Sequence, residues 1–136
     1  MALSDPGQAR HVIDTGTGTT PGKVTLSAAC YAGDVLGCSS GVWVKANAVT
    51  GGVIQGRLVA LRTGASGDTI PVSVNPVIGG YSGGTLGNVV YVSEATAGEI
   101  EDAIPTDGGD ATTIIGVSLS TTEVQFFLNS RADSTV

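Results

Sequence analysis

The chain has 136 residues, of which 41% are hydrophobic, 13% charged and 4% aromatic, with a formal net charge of −6. This length makes one domain that can bury roughly two-thirds of its unfolded surface without disulfide staples. Six basic residues scattered singly, at Arg10, Lys23, Lys45, Arg57, Arg62 and Arg131, exclude the clustered cations that a nucleic-acid backbone requires.

A charged fraction well below the usual quarter or so leaves the surface to Ser, Thr, Gly and Asn, or to contact with other protein. No stretch approaches the apolar length of a membrane span, and the opening MALSDPGQAR lacks the apolar core of a signal peptide. Neither a membrane nor signal-dependent export is therefore expected.

Residues 1–22 are polar and rich in Gly, Thr and Pro, with Val12 and Ile13 as their one apolar pair. Such a segment buries too little to fold alone and reads as an extended N-terminal arm. From residue 23 to 129 short apolar stretches follow one another: KVTLSAACYA, DVLG, GVWVKA, GRLVAL, DTIPVSV, NVVYVS, TTIIGVSLS and EVQFFLN. Glycine pairs and Gly-Asp or Gly-Asn steps separate them, among the 21 glycines of the chain. Runs of about four to eight residues rich in Val, Ile and Thr between such turns predict an all-β barrel or sandwich of short antiparallel strands.

Cys30 and Cys38 flank a turn expected at Gly33-Asp34, which would set position 30 nearly opposite position 37. Two small buried thiols are the expectation for a protein made in a reducing cytosol, with a disulfide as the alternative. In DTIPVSV, Ile70, Val72 and Val74 fall on one face, and in EVQFFLN Val124, Phe126 and Leu128 do the same. Period two with one apolar face predicts sheets packed on one side. Residues 93–113 collect six of the twelve acidic residues and read as a solvated excursion, with 97–103 as a short helical candidate. Residues 117–126 predict a closing hairpin, and 130–136 a C-terminal tail.

Chemistry-bearing motifs are few. Val12-Ile13-Asp14-Thr15-Gly16 matches the apolar-apolar-Asp-Thr-Gly signature of aspartic proteases, in which two aspartates share a proton and activate water. Ile114-Ile115-Gly116 and the glycine-rich stretch from Val77 to Gly84 echo the strand and flap of retroviral-type enzymes. The residues after Gly16 and after Gly116 depart from that pattern, so the motif reads as a chance match. Asp107-Gly108-Gly109-Asp110 could offer oxygen ligands to calcium, but two carboxylates in a glycine loop more often make a turn. His11 is too isolated to serve as a base. No catalytic residue, cofactor or metal is expected. Trp43, Tyr81 and Phe127 are the candidates for a subunit interface, Trp43 being equally a core anchor.

The ordered series over the body resembles the small head-decoration, or capsid cement, proteins of tailed bacteriophages. Its members are Ala32-Gly33-Asp34-Val35, Gly41-Val42-Trp43-Val44-Lys45-Ala46-Asn47-Ala48, Gly56-Arg57-Leu58-Val59-Ala60-Leu61, Gly64-Ala65-Ser66-Gly67-Asp68-Thr69-Ile70, Gly87-Asn88-Val89-Val90-Tyr91-Val92-Ser93 and Ile115-Gly116-Val117-Ser118-Leu119-Ser120. The resemblance implies a compact β module that binds the outer surface of the major capsid protein lattice, as a homotrimer, on the virion. It transfers no catalytic residues. Composition alone nominates the arm residues Arg10, His11, Val12, Ile13 and Asp14 as capsid contacts. The rival expectation is a trimeric tail-fibre or spike module that binds a host glycan.

Overall fold

The computed structural model describes residues 10–16, 22–128 and 133–136. Eleven short strands make up two antiparallel sheets, and no helix occurs among the described residues. They are β1 (His11–Asp14), β2 (Gly22–Thr25), β3 (Val35–Ser39), β4 (Val42–Lys45), β5 (Leu58–Ala60), β6 (Thr69–Ser73), β7 (Val77–Gly79), β8 (Val89–Val92), β9 (Ile100–Glu101), β10 (Gly116–Ser118) and β11 (Val124–Phe126). The first sheet runs β1-β7-β11-β10-β8-β9 and the second β2-β6-β5-β3-β4. The all-β expectation is met, in the form of a compact sandwich of two unclosed sheets.

The apolar runs have two destinations. Val35, Val59, Ile78, Val90, Val124, Phe126 and their neighbours fill the space between the sheets. Leu26, Leu36, Leu58, Ala60, Ile70 and Val72 form a second core on the other side of the five-stranded sheet. Adjacent residues of β3 and β5 therefore serve opposite cores, and β5 is buried at every position. A strand buried on both faces reads as a continuous apolar run, as in GRLVAL, where a one-sided strand would alternate. The second sheet curls over its own core until its edge strands meet at one parallel bridge between Leu26 and Trp43. There the Ser27 N–H and Oγ–H both donate to the Trp43 carbonyl, at 3.2 and 2.8 Å.

Ile70, Val72, Val74, Val124, Phe126 and Leu128 are buried as their alternation predicts. One-sided packing is too simple for β6, because Ser73 on the supposed polar face is fully buried beside Asn75. The 117–126 hairpin forms as β10 and β11, in register Val117 to Gln125. The 97–103 stretch is not helical. Its Ile100 and Glu101 pair with Val92 and Tyr91 because the buried Ile100 side chain belongs to the intersheet core.

Two further expectations need correction. The turn at Tyr31 to Asp34 does not fold positions 30 and 37 together. Cys30 bridges to Gly64, while Cys38 pairs with Trp43 across the β3–β4 hairpin, so the thiols are unbonded and Cys38 is exposed. The arm and tail boundaries also cut through ordered structure. Residues 10–14 form the edge strand β1 against β7, and Gly22 opens β2. Residues 133–136 lie along the 109–113 segment, with Ala111 bridged to Thr135. The rest of the arm, 1–9 and 17–21, and residues 129–132 lie outside the described residues.

Candidate functional site

Arg10, nominated as a capsid contact, is the centre of a buried ion cluster. Its Nη2 donates to Asp34 Oδ1 at 2.7 Å, and its Nη1 stands 3.0 Å from Glu99 Oε2. All three side chains are about 1% exposed. Lys45 approaches the other Asp34 oxygen at 3.6 Å from the solvent side and lies over the Tyr31 ring, 5.5 Å from its centroid. Two cations thus face two anions, which is the condition for burying charge at all.

The backbone builds this pocket from three segments. Tyr31 N–H donates to Asp34 Oδ2 at 2.9 Å, closing the turn that carries Asp34. Gly33 in that turn has φ +87°, and a Cβ there would crowd the Arg10 stem at 3.3 Å. Only glycine satisfies both demands. The 94–99 turn is brought in by two backbone bonds of 2.9 Å, Gly98 N–H to Ala46 and Val35 N–H to Gly98. Burial works to lower the Arg10 pKa, but Asp34 first, then Tyr81 and Glu99, outweigh it and the net direction is up. Burial raises the Tyr81 phenol well above its ordinary range.

Tyr81 therefore offers no surface to another subunit, being 2% exposed and packed in the intersheet core. Trp43 is half-buried against the second core, and Phe127 is half-buried just after β11. The three interface candidates do not converge on one patch; Tyr81 joins Arg10 and Trp43 belongs to the other core. Of the remaining arm residues, Val12 packs on the intersheet core while His11, Ile13 and Asp14 are exposed.

A second feature lies on the β1 edge. Asp14, Gly16, Asn75, Val77 and Gln125 line a half-open cleft of about 150 Å³. Its geometry follows from register: Val77 of β7 stands opposite Asp14 of β1 on one side and Gln125 of β11 on the other. Three neighbouring strands thus present Asp14, Val77 and Gln125 in one row. Asp14 Oδ1 accepts the Gly16 N–H at 2.7 Å. Gly16 has φ +88°, and a Cβ would lie 2.6 Å from the Asn75 carbonyl oxygen, so the turn closes directly on that wall. Gln125 Nε2 faces three carbonyl oxygens, those of Asn75, Pro76 and Phe126, at 3.0, 3.4 and 2.8 Å.

Asn75 and Gln125, both carboxamides, line the cleft beside Asp14. The glycine-rich stretch from Val77 to Gly84 opens with β7, an inner strand between β1 and β11, and Gly116 opens the β10–β11 hairpin.

The glycine loop at 107–110 gains a partner that its sequence does not announce. Glu94, Asp107 and Asp110 bring their carboxylates within 4.8 Å of one another. Thr50 donates to Asp110 Oδ1 from both its N–H and its hydroxyl, which holds the Asp110 carboxyl below its ordinary range. The hydrogen bond to Asp110 pushes the Glu94 carboxyl up. The two Thr50–Asp110 bonds clamp this loop to the turn around Thr50.

Sequence reasoning missed Asp34, Glu99, Asn75 and Gln125, since each lies in a different segment from its partner. The available signal was Gly33-Asp34, read only as a turn. Comparison with protein-family models, with curated proteins and with solved structures finds no match.

Proposed function

We propose that this chain is a structural decoration protein that binds the outer surface of an assembled phage capsid, as a homotrimer, and stabilises the shell. The observation that carries the reading is the fixed exit of the N-terminal segment. Nine residues precede Arg10 in the sequence, and the buried ion cluster pins their point of departure to the edge of the first sheet. An arm that reaches a neighbouring subunit needs such an anchor, because tension on an unanchored segment would peel the edge strand away.

The surface supports the same reading. Ile13, Tyr31, Val42, Leu86, Ile104 and Leu119 are all exposed apolar side chains, Leu86 at 73%. With so few charges on the chain, these are features of a surface that meets other protein at several places. The edge strand β1 adds backbone groups suited to pairing with a partner's strand. Binding to the assembled lattice and not to free subunits would stabilise the lattice by mass action, and threefold repetition would multiply a modest interface into strong avidity.

The glycan-binding alternative finds less support. Of six aromatic residues only Tyr31 is exposed, and Lys45 already covers its face. The test is to mix purified protein with expanded, undecorated capsids of the cognate phage. Saturable binding that raises the capsid melting temperature is expected; absence of binding at tens of micromolar subunit refutes the proposal. Saturable binding to a glycan array instead would establish the rival.

A further inference from the structure

Asp133 to Val136 dock as a strand on an edge that stands without them. They run antiparallel to 109–113, with Ala111 bridged to Thr135. Gly109 N–H donates to the Val136 carbonyl at 3.0 Å, Val136 N–H to the Asp110 carbonyl at 2.8 Å and Thr112 N–H to the Ser134 carbonyl at 2.9 Å. Thr113 Oγ1 accepts the Ser134 N–H at 2.7 Å, and Arg57 grips both Asp133 oxygens at 2.6 Å. The receiving edge is held from its other side. Ala111 N–H donates to the Ala48 carbonyl at 2.9 Å, the Ala111 side chain lies in the intersheet core, and Thr50 binds Asp110 and the Gly108 carbonyl. None of these supporting contacts uses the docked segment.

The four docked residues belong to neither core, and all four are exposed. No apolar burial therefore holds them. What remains is hydrogen bonds and one solvent-screened ion pair, whose net gain is of the same order as the cost of ordering the backbone. An attachment so balanced opens and closes within the native protein. When it opens, 109–113 is a bare edge with Arg57 beside it. That edge combines backbone groups for pairing with one side-chain contact for selection, the two elements of strand recognition.

Which strand fits it? Arg57 offers two parallel N–H donors and so asks for a carboxylate at the first position. At the second position the Ser134 hydroxyl lies 3.0 Å from Thr112 Oγ1, which suits a small polar side chain. The same four residues of a second copy meet these demands by identity. Leu128, buried and bonded through its N–H to the Val74 carbonyl at 2.9 Å, fixes the point from which the segment departs. Residues 129–132 separate it from Asp133, which gives a reach of at most about 18 Å.

From this we infer that the 109–113 edge and Arg57 form a strand-receiving site for the C-terminal segment of a second copy of this chain. In the isolated molecule the chain's own Asp133 to Val136 fill it. Where a neighbour's Arg57 stands within reach of Leu128, the segment crosses and becomes a tie between copies. The contacts are the same in both arrangements, so proximity of the copies decides between them. The inference concerns this edge alone, and its test needs no capsid.

The experiment uses two full-length variants with opposite charge reversals, Arg57→Asp and Asp133→Arg. Each alone sets like charges against one another at the docking point. Mixed, each variant's segment meets the complementary charge on the other's edge, in both directions. Sedimentation of the mixture should show association at up to about 1 mM subunit, where each variant alone stays dispersed. With Arg57→Asp ¹⁵N-labelled, the Gly109, Thr112 and Ser134 amides should shift saturably as the unlabelled partner is added. A mixture that sediments as the sum of its parts overturns the exchange. In parallel, the capped tetrapeptide Asp-Ser-Thr-Val is titrated into ¹⁵N-labelled Asp133→Arg protein. Saturable shifts at Gly109 and Thr112 are expected, and a peptide with Asn in first place should bind about two- to five-fold more weakly, as suits an exposed pair. Equal affinity for the two peptides overturns the Arg57 contact, and no shift at about 100-fold excess overturns the receiving site. Peptide binding without association of the two variants overturns the second copy as donor and points to another protein's strand.

Discussion

Replacing Arg10 by methionine tests whether the N-terminal strand is held by buried charge. The substitution keeps a long stem beside Gly33 but removes the cation between Asp34 and Glu99, each about 1% exposed. Asp34 would retain the Tyr31 N–H and the half-exposed Lys45, whereas Glu99 would lose its contact with the guanidinium. Breaking one side of a buried pair typically destabilises by about 3–5 kcal/mol, because an uncompensated charge stays in a low-dielectric interior. Against a total stability of roughly 5–15 kcal/mol, that is a large fraction, equivalent to a fall of about 10–20 °C in the melting temperature. Urea denaturation of Arg10→Met should show it, and hydrogen exchange should accelerate first in Val12 and its partner Ile78. Adding Glu99→Gln to Arg10→Met should recover part of the loss, since a neutral amide replaces the stranded charge. If Arg10→Met shifts stability by less than about 1 kcal/mol and leaves β1 exchange unchanged, the cluster does not hold the strand. If the second substitution makes matters worse, the stranded charge is not the cause.

Two other predictions follow from the termini and the thiols. Arg57 makes two hydrogen bonds of 2.6 Å to Asp133, and this pairing holds the Asp133 carboxyl below its ordinary range. A depressed carboxylate pKa contributes stability that is present above the unfolded value near pH 4 and is lost as pH falls through the folded one. With side chains 47% and 38% exposed, the pair is screened by solvent, so Arg57→Ala should change global stability by at most about 1 kcal/mol. It should nevertheless speed exchange of the Ser134 and Val136 amides at pH 7, with wild type and variant converging as Asp133 is protonated; equal exchange at pH 7 would show that the pair does not fasten the C-terminus. At pH 8, Cys38 should react with a thiol reagent in the native protein. Cys30 should react only on unfolding, because burial pushes its thiol up to about 11; two fast-reacting thiols in the native protein would contradict the packing at Gly64.

What the sequence made legible was governed by range. The alternation of Ile70, Val72 and Val74, or of Val124, Phe126 and Leu128, is a local consequence of the pleat, and burial followed it. The double-sided burial of β5 was also present in the letters, since Leu58, Val59 and Ala60 leave no polar position. Pairing between distant segments was not legible. Nothing local to Arg10 announces that residues 24 and 89 positions later, Asp34 and Glu99, will surround it, and a polar segment containing one Arg is the natural picture of a solvated arm. The same holds for the cleft, where Asp14 and Gln125 meet only because β7 inserts between β1 and β11.

The two long-range features also explain each other. A four-residue edge strand with a bulge between Val12 and Asp14 has too few ladder bonds to hold its register alone. The buried Arg10 fixes the strand at its start, and the Asx turn seated on Asn75 fixes it at its end. Between these two clamps the register is set, and a one-residue slip would carry Val12 out of the core and Asp14 away from the row it shares with Val77 and Gln125. The charge placed inside the protein is therefore what keeps the charge at the cleft in position: loosening Arg10 should displace Asp14 with no substitution made in the cleft.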